Sequence, residues 1–159
     1  MVRLLLRPVR LDVIFPEHDS TFLEETDNLW ITNVQIPNGD WMYGIDMGVL
    51  PEYRGLGLSK ELYKARHEVC RILGLKGQII AGMTIGYGKL KDKITIEEYC
   101  YALEINKYTD PTITPQRKAG FRWIRPLYNY INDPEAGYAS ILMYYPVDEN
   151  YSIKKEFLK

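Results

Sequence analysis

Trp41-Met42-Tyr43-Gly44-Ile45-Asp46-Met47-Gly48-Val49-Leu50-Pro51-Glu52-Tyr53-Arg54-Gly55-Leu56-Gly57-Leu58-Ser59 is the stretch on which the reading of this sequence turns. Its first nine residues alternate as a strand does. Trp41, Tyr43, Ile45, Met47 and Val49 share one face, and Met42, Gly44, Asp46 and Gly48 share the other. The second face is small or polar, so another backbone or a ligand can approach it closely. Pro51 stops strand pairing, and Glu52 to Gly57 form a tight glycine-rich turn. From Leu58 the period becomes helical, with Leu58, Leu62, Ala65, Val69, Ile72 and Leu73 at spacings of three and four, and Gly74 supplies the stop. Gln78–Met83 reads as a second strand. The unit over about 41–83 is therefore strand, glycine turn, amphipathic helix, strand.

The turn carries the chemistry. Gly55 and Gly57 let the backbone pass close to a ligand without a Cβ in the way. The helix that follows opens with unpaired N–H groups and a positive dipole end, which together bind anions. Arg54 adds a fixed charge with several donors. The turn is not a Walker A loop, because the Gly-Lys-Ser/Thr ending is missing, and its glycine spacing fails the dinucleotide fingerprint. Taken alone, it also fits a purely structural connection.

Outward from this unit the signals are ordinary. Apolar stretches at Leu4–Leu6 and Leu11–Phe15, broken by Pro8, predict one or two short strands. Residues 16–28 read as polar loop with room for one helical turn, Trp30–Ile36 as a strand, and Pro37-Asn38-Gly39-Asp40 as a turn. A glycine- and lysine-bearing loop covers 82–92. Thr95-Ile96-Glu97-Glu98 is a capping box opening a helix to about Glu104, and Thr114-Pro115 marks a short helix ending at Gly120. Phe121–Leu127 and Ala139–Tyr145 read as a strand hairpin. His67 falls on the helix's polar side as a solvated histidine, Glu52 is a turn residue, and Lys89 and Arg117 are solvated charges.

Composition narrows the classes. The chain of 159 residues fits one domain with room for a core. Its 20 basic and 21 acidic residues give a formal charge of -1, which argues against nucleic-acid binding. Cys70, Cys100, His18 and His67 show no metal-ligand spacing, so no metal is expected. The cysteines read as small buried hydrophobes in a reducing compartment. No run approaches the roughly 20 apolar residues of a membrane span, and the location read from this is cytoplasmic.

With its context, the turn resembles a known motif. Val49, Pro51, Tyr53, Arg54, Gly55, Gly57 and Ser59, followed by Leu62, Tyr63, Ala65 and Arg66, closely match motif A of the GNAT N-acetyltransferases, with Ser59 in place of the usual final glycine or alanine. Gln116-Arg117-Lys118-Ala119-Gly120-Phe121 resembles the family's late helix and its entry into the next strand. The region from Gly86 through Tyr138 resembles a subgroup found beside carbon-nitrogen hydrolases.

The resemblance implies an α/β (α+β) fold with a mixed, mostly antiparallel central sheet flanked by helices. The resemblance covers roughly residues 17–147 and is strongest at 41–83, and the single domain it implies spans 1–159, with an abbreviated N-terminal portion at 1–40 and a peripheral tail at 147–159. It implies acetyl-CoA as cofactor and a small-molecule or peptide amine as acceptor. Backbone groups of Met47, Gly48 and Val49 would bind the pantetheine and thioester. The amides of Arg54, Gly55, Leu56, Gly57, Leu58 and Ser59 would bind the pyrophosphate. Asp46 is the first candidate for the base that neutralises the amine. The family's tyrosine acid aligns with Gln116, which cannot protonate a thiolate, so Tyr87 and Tyr108 are the candidates to replace it. The short N-terminal region makes a homodimer a reasonable expectation. Two other readings stay open here: an acyl-CoA-binding regulatory or scaffolding domain with little catalysis, and a protein-interaction domain without CoA.

Overall fold

A computed structural model of the chain describes the backbone of residues 2–9 and the whole of residues 20–153. The apolar stretch Leu11–Phe15 lies outside the described residues. Among the described residues five strands form one sheet: β1 (Val2–Val9), β2 (Trp41–Val49), β3 (Gly77–Met83), β4 (Arg122–Tyr128) and β5 (Ala139–Pro146), in the spatial order β1-β2-β3-β5-β4. Only β2 and β3 run parallel; the other three pairings are antiparallel. Among the described residues four α-helices accompany them: α1 (Phe22–Glu25), α2 (Leu58–Ile72), α3 (Ile96–Glu104) and α4 (Ile113–Lys118). The expected mixed, mostly antiparallel sheet with a β-α-β unit is what forms.

The aromatic face of β2 behaves as its alternation predicts at first. Trp41 and Tyr43 are almost fully buried in a cluster with Ile79, Leu127, Tyr130 and Tyr144. The alternation then breaks. Leu5 of β1 pairs with Asp46 and Leu6 pairs with Gly44, so Ile45 has no opposite number. This bulge puts the rest of β2 out of phase. Ile45 still packs with the Trp41 cluster, whereas Met47 packs with Tyr63 and Ile80 on the helix side. Two expectations are corrected here: Met47 leaves the aromatic face, and Asp46 no longer shares a face with Gly44.

The rotation of α2 is also corrected. Its buried residues are Tyr63, Arg66, His67 and Cys70, while Val69, Ile72 and Leu73 are exposed (39%, 75% and 62%). Both stripes have helical spacing and lie one residue, about 100°, apart. The packed one contains an arginine and a histidine because the sheet beneath offers Gly44 rather than a bulky residue, leaving room for long polar side chains.

Trp30–Ile36, expected as a strand, is a run of turns. Both edges of β2 are already taken by β1 and β3, so its β-formers find no partner, and β propensity without a partner makes no strand. The capping box at Thr95 forms in full, with Glu98 N–H donating to the Thr95 hydroxyl and the Glu98 carboxylate accepting from Thr95 N–H. Helix α4 begins at Ile113, two residues earlier than Pro115 predicts, because the Asp110 carboxylate accepts from the N–H groups of Thr112 (2.7 Å) and Ile113 (2.9 Å). Asp110 accepts further bonds from Gly86 N–H and the Tyr99 hydroxyl, both at 2.9 Å.

Candidate functional site

The site begins where pairing between β2 and β3 ends. The two strands are bonded only from Trp41–Gly44 to Gly77–Ile80. The bulge at Ile45 bends β2 away, so Ile45–Val49 diverges from Ala81–Met83. A strand edge without a partner offers its peptide groups to any extended ligand laid along it. The split opens into a cavity of about 540 Å³ lined by β2, the glycine turn, the start of α2, β3 and α4.

The turn forms the anion-binding end. Pro51–Tyr53 is one 3-10 turn, and Gly55 (φ 78°) and Gly57 (φ 76°) take left-handed conformations that a side chain would strain. Gly57 serves as N-cap of α2 with no side-chain cap. Its carbonyl accepts from Lys60 and Glu61, but the N–H groups of Gly55, Leu56, Gly57, Leu58 and Ser59 donate to no described acceptor. Successive free N–H groups at a helix N-terminus form an anion nest. The Arg54 guanidinium is fixed beside them, its Nε donating to the Val49 carbonyl at 3.1 Å.

Eight of the nine residues expected at the cofactor line this cavity: Met47, Gly48, Val49, Arg54, Gly55, Gly57, Leu58 and Ser59. Leu56 does not; its side chain is 68% exposed, and only its N–H belongs to the turn. Asp46 lines the cavity at the bulge. Tyr87 does not: it is buried, its hydroxyl donates to the Ile94 carbonyl (3.3 Å), and it lines a separate depression with Ile94 and Tyr138. Tyr108 packs on the Tyr99 ring, also away from the cavity. Neither tyrosine lines the cavity in which Gln116 sits. Arg117 caps α3 by donating to the carbonyls of Leu103 and Glu104, so it is not a solvated charge.

Two cavity residues, Tyr63 and Arg66, receive no role in a sequence reading. Tyr63 is 5% exposed, packs edge-on against Phe121, and lines the cavity together with Gln116. Burial raises its pKa above the ordinary tyrosine value, outweighing the opposite pull of a hydrogen bond with the Gln116 side chain and of the Arg66 charge. The phenol is therefore held protonated. Gln116 itself leaves Oε1 without a partner. Arg66, 3% exposed, lies under the apex of the split. The available signal was the helical spacing of Tyr63 and Arg66 beneath the bare face of β2.

His67 is buried, not solvated. Its Nε2 lies 3.0 Å from the Ala119 carbonyl, its Nδ1 lies 2.5 Å from Gln78 Nε2, and its ring stacks on Tyr145 at 3.4 Å between centroids. These partners fit a neutral ring that donates from Nε2 and accepts at Nδ1. Burial pushes its pKa down to about 4, with the Arg66 and Arg71 charges acting the same way against the Ala119 bond. Among the described residues no group of three His, Cys, Asp or Glu side chains is placed to hold a metal, and no helix is long and apolar enough to cross a membrane.

No family model matches the chain. A protein named probable hydrolase YhcX, from Bacillus subtilis (strain 168), is 36% identical over 138 residues, which are 84% of this chain and 27% of that protein. An uncharacterized N-acetyltransferase of the same strain, YkwB, is 30% identical over 125 residues, 79% of this chain and 55% of that protein. The chain thus spans 27% and 55% of the length of these curated relatives. Two solved structures share its fold. The GNAT-like decarboxylase GphF, in complex with isobutyryl-CoA, matches with a TM-score of 0.75 at 13% identity, over 92% of this chain and 72% of that one. The loading GNATL domain of CurA from Lyngbya majuscula matches with a TM-score of 0.73 at 16% identity, over 92% of this chain and 71% of that one. With the split strands and the glycine turn in the places that motif A predicts, the chain has the fold of these GNAT-like domains.

Proposed function

We propose that this chain is an acyl-CoA-dependent N-acyltransferase, with acetyl-CoA the donor read from the sequence and a primary amine the acceptor. One observation carries the reading: the N–H groups of Gly55, Gly57, Leu58 and Ser59, which donate to no acceptor among the described residues, and the open edge of β2 share a single cavity. A CoA thioester matches both ends. Its pyrophosphate suits the N–H nest, and its amide-bearing arm suits a strand edge. The isobutyryl-CoA bound to GphF supports a CoA thioester as the ligand class. The unpaired Oε1 of Gln116 adds an acceptor for an amide N–H on the α4 side.

The ligand, when bound, supplies an activated acyl carbon with a thiolate leaving group. The chain's part is to place it and to manage protons. The N–H groups of the diverging β2 edge would polarise the thioester carbonyl. Asp46, at the bulge, takes a proton from the attacking amine, directly or through a water. Tyr63, kept protonated by burial, gives its proton to the departing sulfur and so fills the role that Gln116 cannot. We place the reaction in the cytoplasm, in keeping with Cys70 and Cys100, which are unpaired thiols.

Acetyl-CoA binding, followed by thermal shift and calorimetry, tests the reading. Saturating ligand should raise the melting temperature of the wild type. Arg54→Glu should weaken binding about thirtyfold, because it removes a charge-assisted donor and sets a carboxylate beside the phosphates. A wild type that acetyl-CoA does not stabilise would end the proposal.

A CoA-release assay over a panel of amines then separates catalysis from binding alone. In it, Tyr63→Phe should lower kcat by about tenfold and leave acetyl-CoA affinity within about twofold. The effect sits below the usual range for general acids because a thiol, with a pKa near 8.5, needs little protonation to leave. An unchanged kcat would remove Tyr63 from proton transfer.

A further inference from the structure

Among the described residues Arg66 is a buried cation without a counter-ion. Its side chain is 3% exposed, and neither Nε nor Nη2 has a hydrogen-bond partner. The groups acting on its charge are the Tyr63 phenol and the Cys70 thiol; no carboxylate among the described residues is one of them. Burial lowers its pKa to about 10, so the guanidinium is still charged at neutral pH. Leaving such a charge unpaired inside a protein is costly, and a folded chain keeps it when something else completes it.

The position is built for it. A Cβ on Gly44 would fall 1.7 Å from Nη2, so the guanidinium occupies the space that any other residue at 44 would fill. Gly44 is also the last residue of β2 paired with β3, which puts the cation at the apex of the split, on the wall of the cavity. Nε and Nη2 form one edge of the guanidinium plane. Two parallel N–H donors on that edge match the two oxygens of a carboxylate.

The phosphates of a CoA ligand do not answer this need. Arg66 lies seven residues beyond Ser59 on α2, about 10 Å along the helix axis from the N–H nest. The guanidinium itself lies against Gly44 at the apex and not at the nest, so a phosphate held at the nest is not what it faces. What reaches the apex is the reacting end of the substrate.

We propose that Arg66 is a specificity residue that binds a carboxylate carried by the substrate, at the end opposite the nucleotide. This rests on the acyl-CoA reading above. It narrows the substrate class from a plain acetyl donor with a plain amine to a pair in which one member bears a carboxylate. The first source is the acyl group, as in a dicarboxylic acyl thioester; the second is an acceptor such as an amino acid.

The test measures binding of CoA, acetyl-CoA, malonyl-CoA and succinyl-CoA to the wild type, Arg66→Met, Arg66→Lys and Gly44→Ala, with no acceptor present. A second arm titrates glycine and glycinamide into the acetyl-CoA complex. The wild type should bind at least one carboxylated thioester about tenfold more tightly than acetyl-CoA. Arg66→Met and Gly44→Ala should erase that preference, and Arg66→Lys, which keeps the charge but not the fork, should retain only part of it. Arg66→Met should also raise the melting temperature of the ligand-free protein, since it removes an unpaired buried charge. Indifference to the acyl carboxylate, with an Arg66-dependent preference for glycine over glycinamide, assigns the carboxylate to the acceptor and supports the proposal. Tight CoA binding with no Arg66-dependent preference in either arm overturns it and leaves the acyl-CoA reading standing. No CoA binding at all removes both.

Discussion

Asp110→Ala is expected to lower the unfolding free energy by about 4 kcal/mol, the largest stability loss of any single change considered for this chain. The carboxylate is 2% exposed and accepts four bonds at once: from Gly86 N–H, the Tyr99 hydroxyl, Thr112 N–H and Ile113 N–H. These donors come from three parts of the chain. Gly86 follows β3, Tyr99 lies on α3, and Thr112 and Ile113 open α4. Alanine leaves all four donors without their acceptor in a place with little water. The burial and charge that raise the pKa of Tyr99 far above the ordinary tyrosine value show how dry the surroundings are, since desolvation is the first cause and the Asp110 charge the second. For a chain of this size the melting temperature should drop by roughly 10 °C.

Asp110→Asn keeps one acceptor oxygen and should recover about half of that loss. The change should reach the cavity too. Pro111, Thr112, Pro115 and Gln116 line it, and Asp110 fixes the start of the helix that carries them. Chemical denaturation of the two variants measures the stability term. A loss under about 1 kcal/mol for alanine would mean that water replaces the carboxylate at little cost.

Signals local to the chain were legible. β2 runs from Trp41 to Val49 as its alternation predicts, α2 begins at Leu58 after the second glycine, and the Thr95 box opens α3. Each depends on neighbours within about four residues. The bulge at Ile45 does not; it comes from pairing with Leu5 and Leu6, some forty residues earlier, and no pattern inside 41–49 encodes it. Because the bulge opens the split, the shape of the cavity was hidden even though nine of its lining residues, from Asp46 to Ser59, were named.

The rotation of α2 was hidden for a different reason. An aliphatic stripe at Leu62, Ala65, Val69 and Ile72 wins any count of apolar residues over one made of Tyr63, Arg66, His67 and Cys70. The second stripe is buried because each polar member meets something specific: Gln78 and Ala119 for His67, Gln116 for Tyr63, and the hollow of Gly44 for Arg66. Polar burial is decided by such tertiary partners, which periodicity does not see. The bare face of β2 was the sequence's one trace of it.

The buried histidine of that stripe makes stability depend on pH in a definite direction. In the unfolded chain His67 takes up a proton near pH 6.5. In the folded protein it does not do so until about pH 4, because burial disfavours the cation and Arg66 and Arg71 repel it. Between these values the unfolded state binds more protons, so folding weakens as pH falls. The contribution is fully present above about pH 6.5 and is lost on the way down to pH 4, amounting to about 3 kcal/mol at 1.36 kcal/mol for each pH unit.

His67→Phe separates this term from the titration of carboxylates. The variant keeps a ring to stack on Tyr145 but has nothing to protonate, and it leaves Gln78 and the Ala119 carbonyl without their partner. It should therefore be less stable than the wild type at pH 7, by about 2 kcal/mol. The gap should close as pH falls, vanish near about pH 5 and be reversed by pH 4, since only the wild type loses the histidine term. Urea unfolding of both proteins at half-unit steps from pH 7.5 to 4 reads the gap directly. A gap that stays constant across the window would mean that His67 titrates alike in the folded and unfolded chains, and that its ring is not held neutral between Ala119 and Gln78.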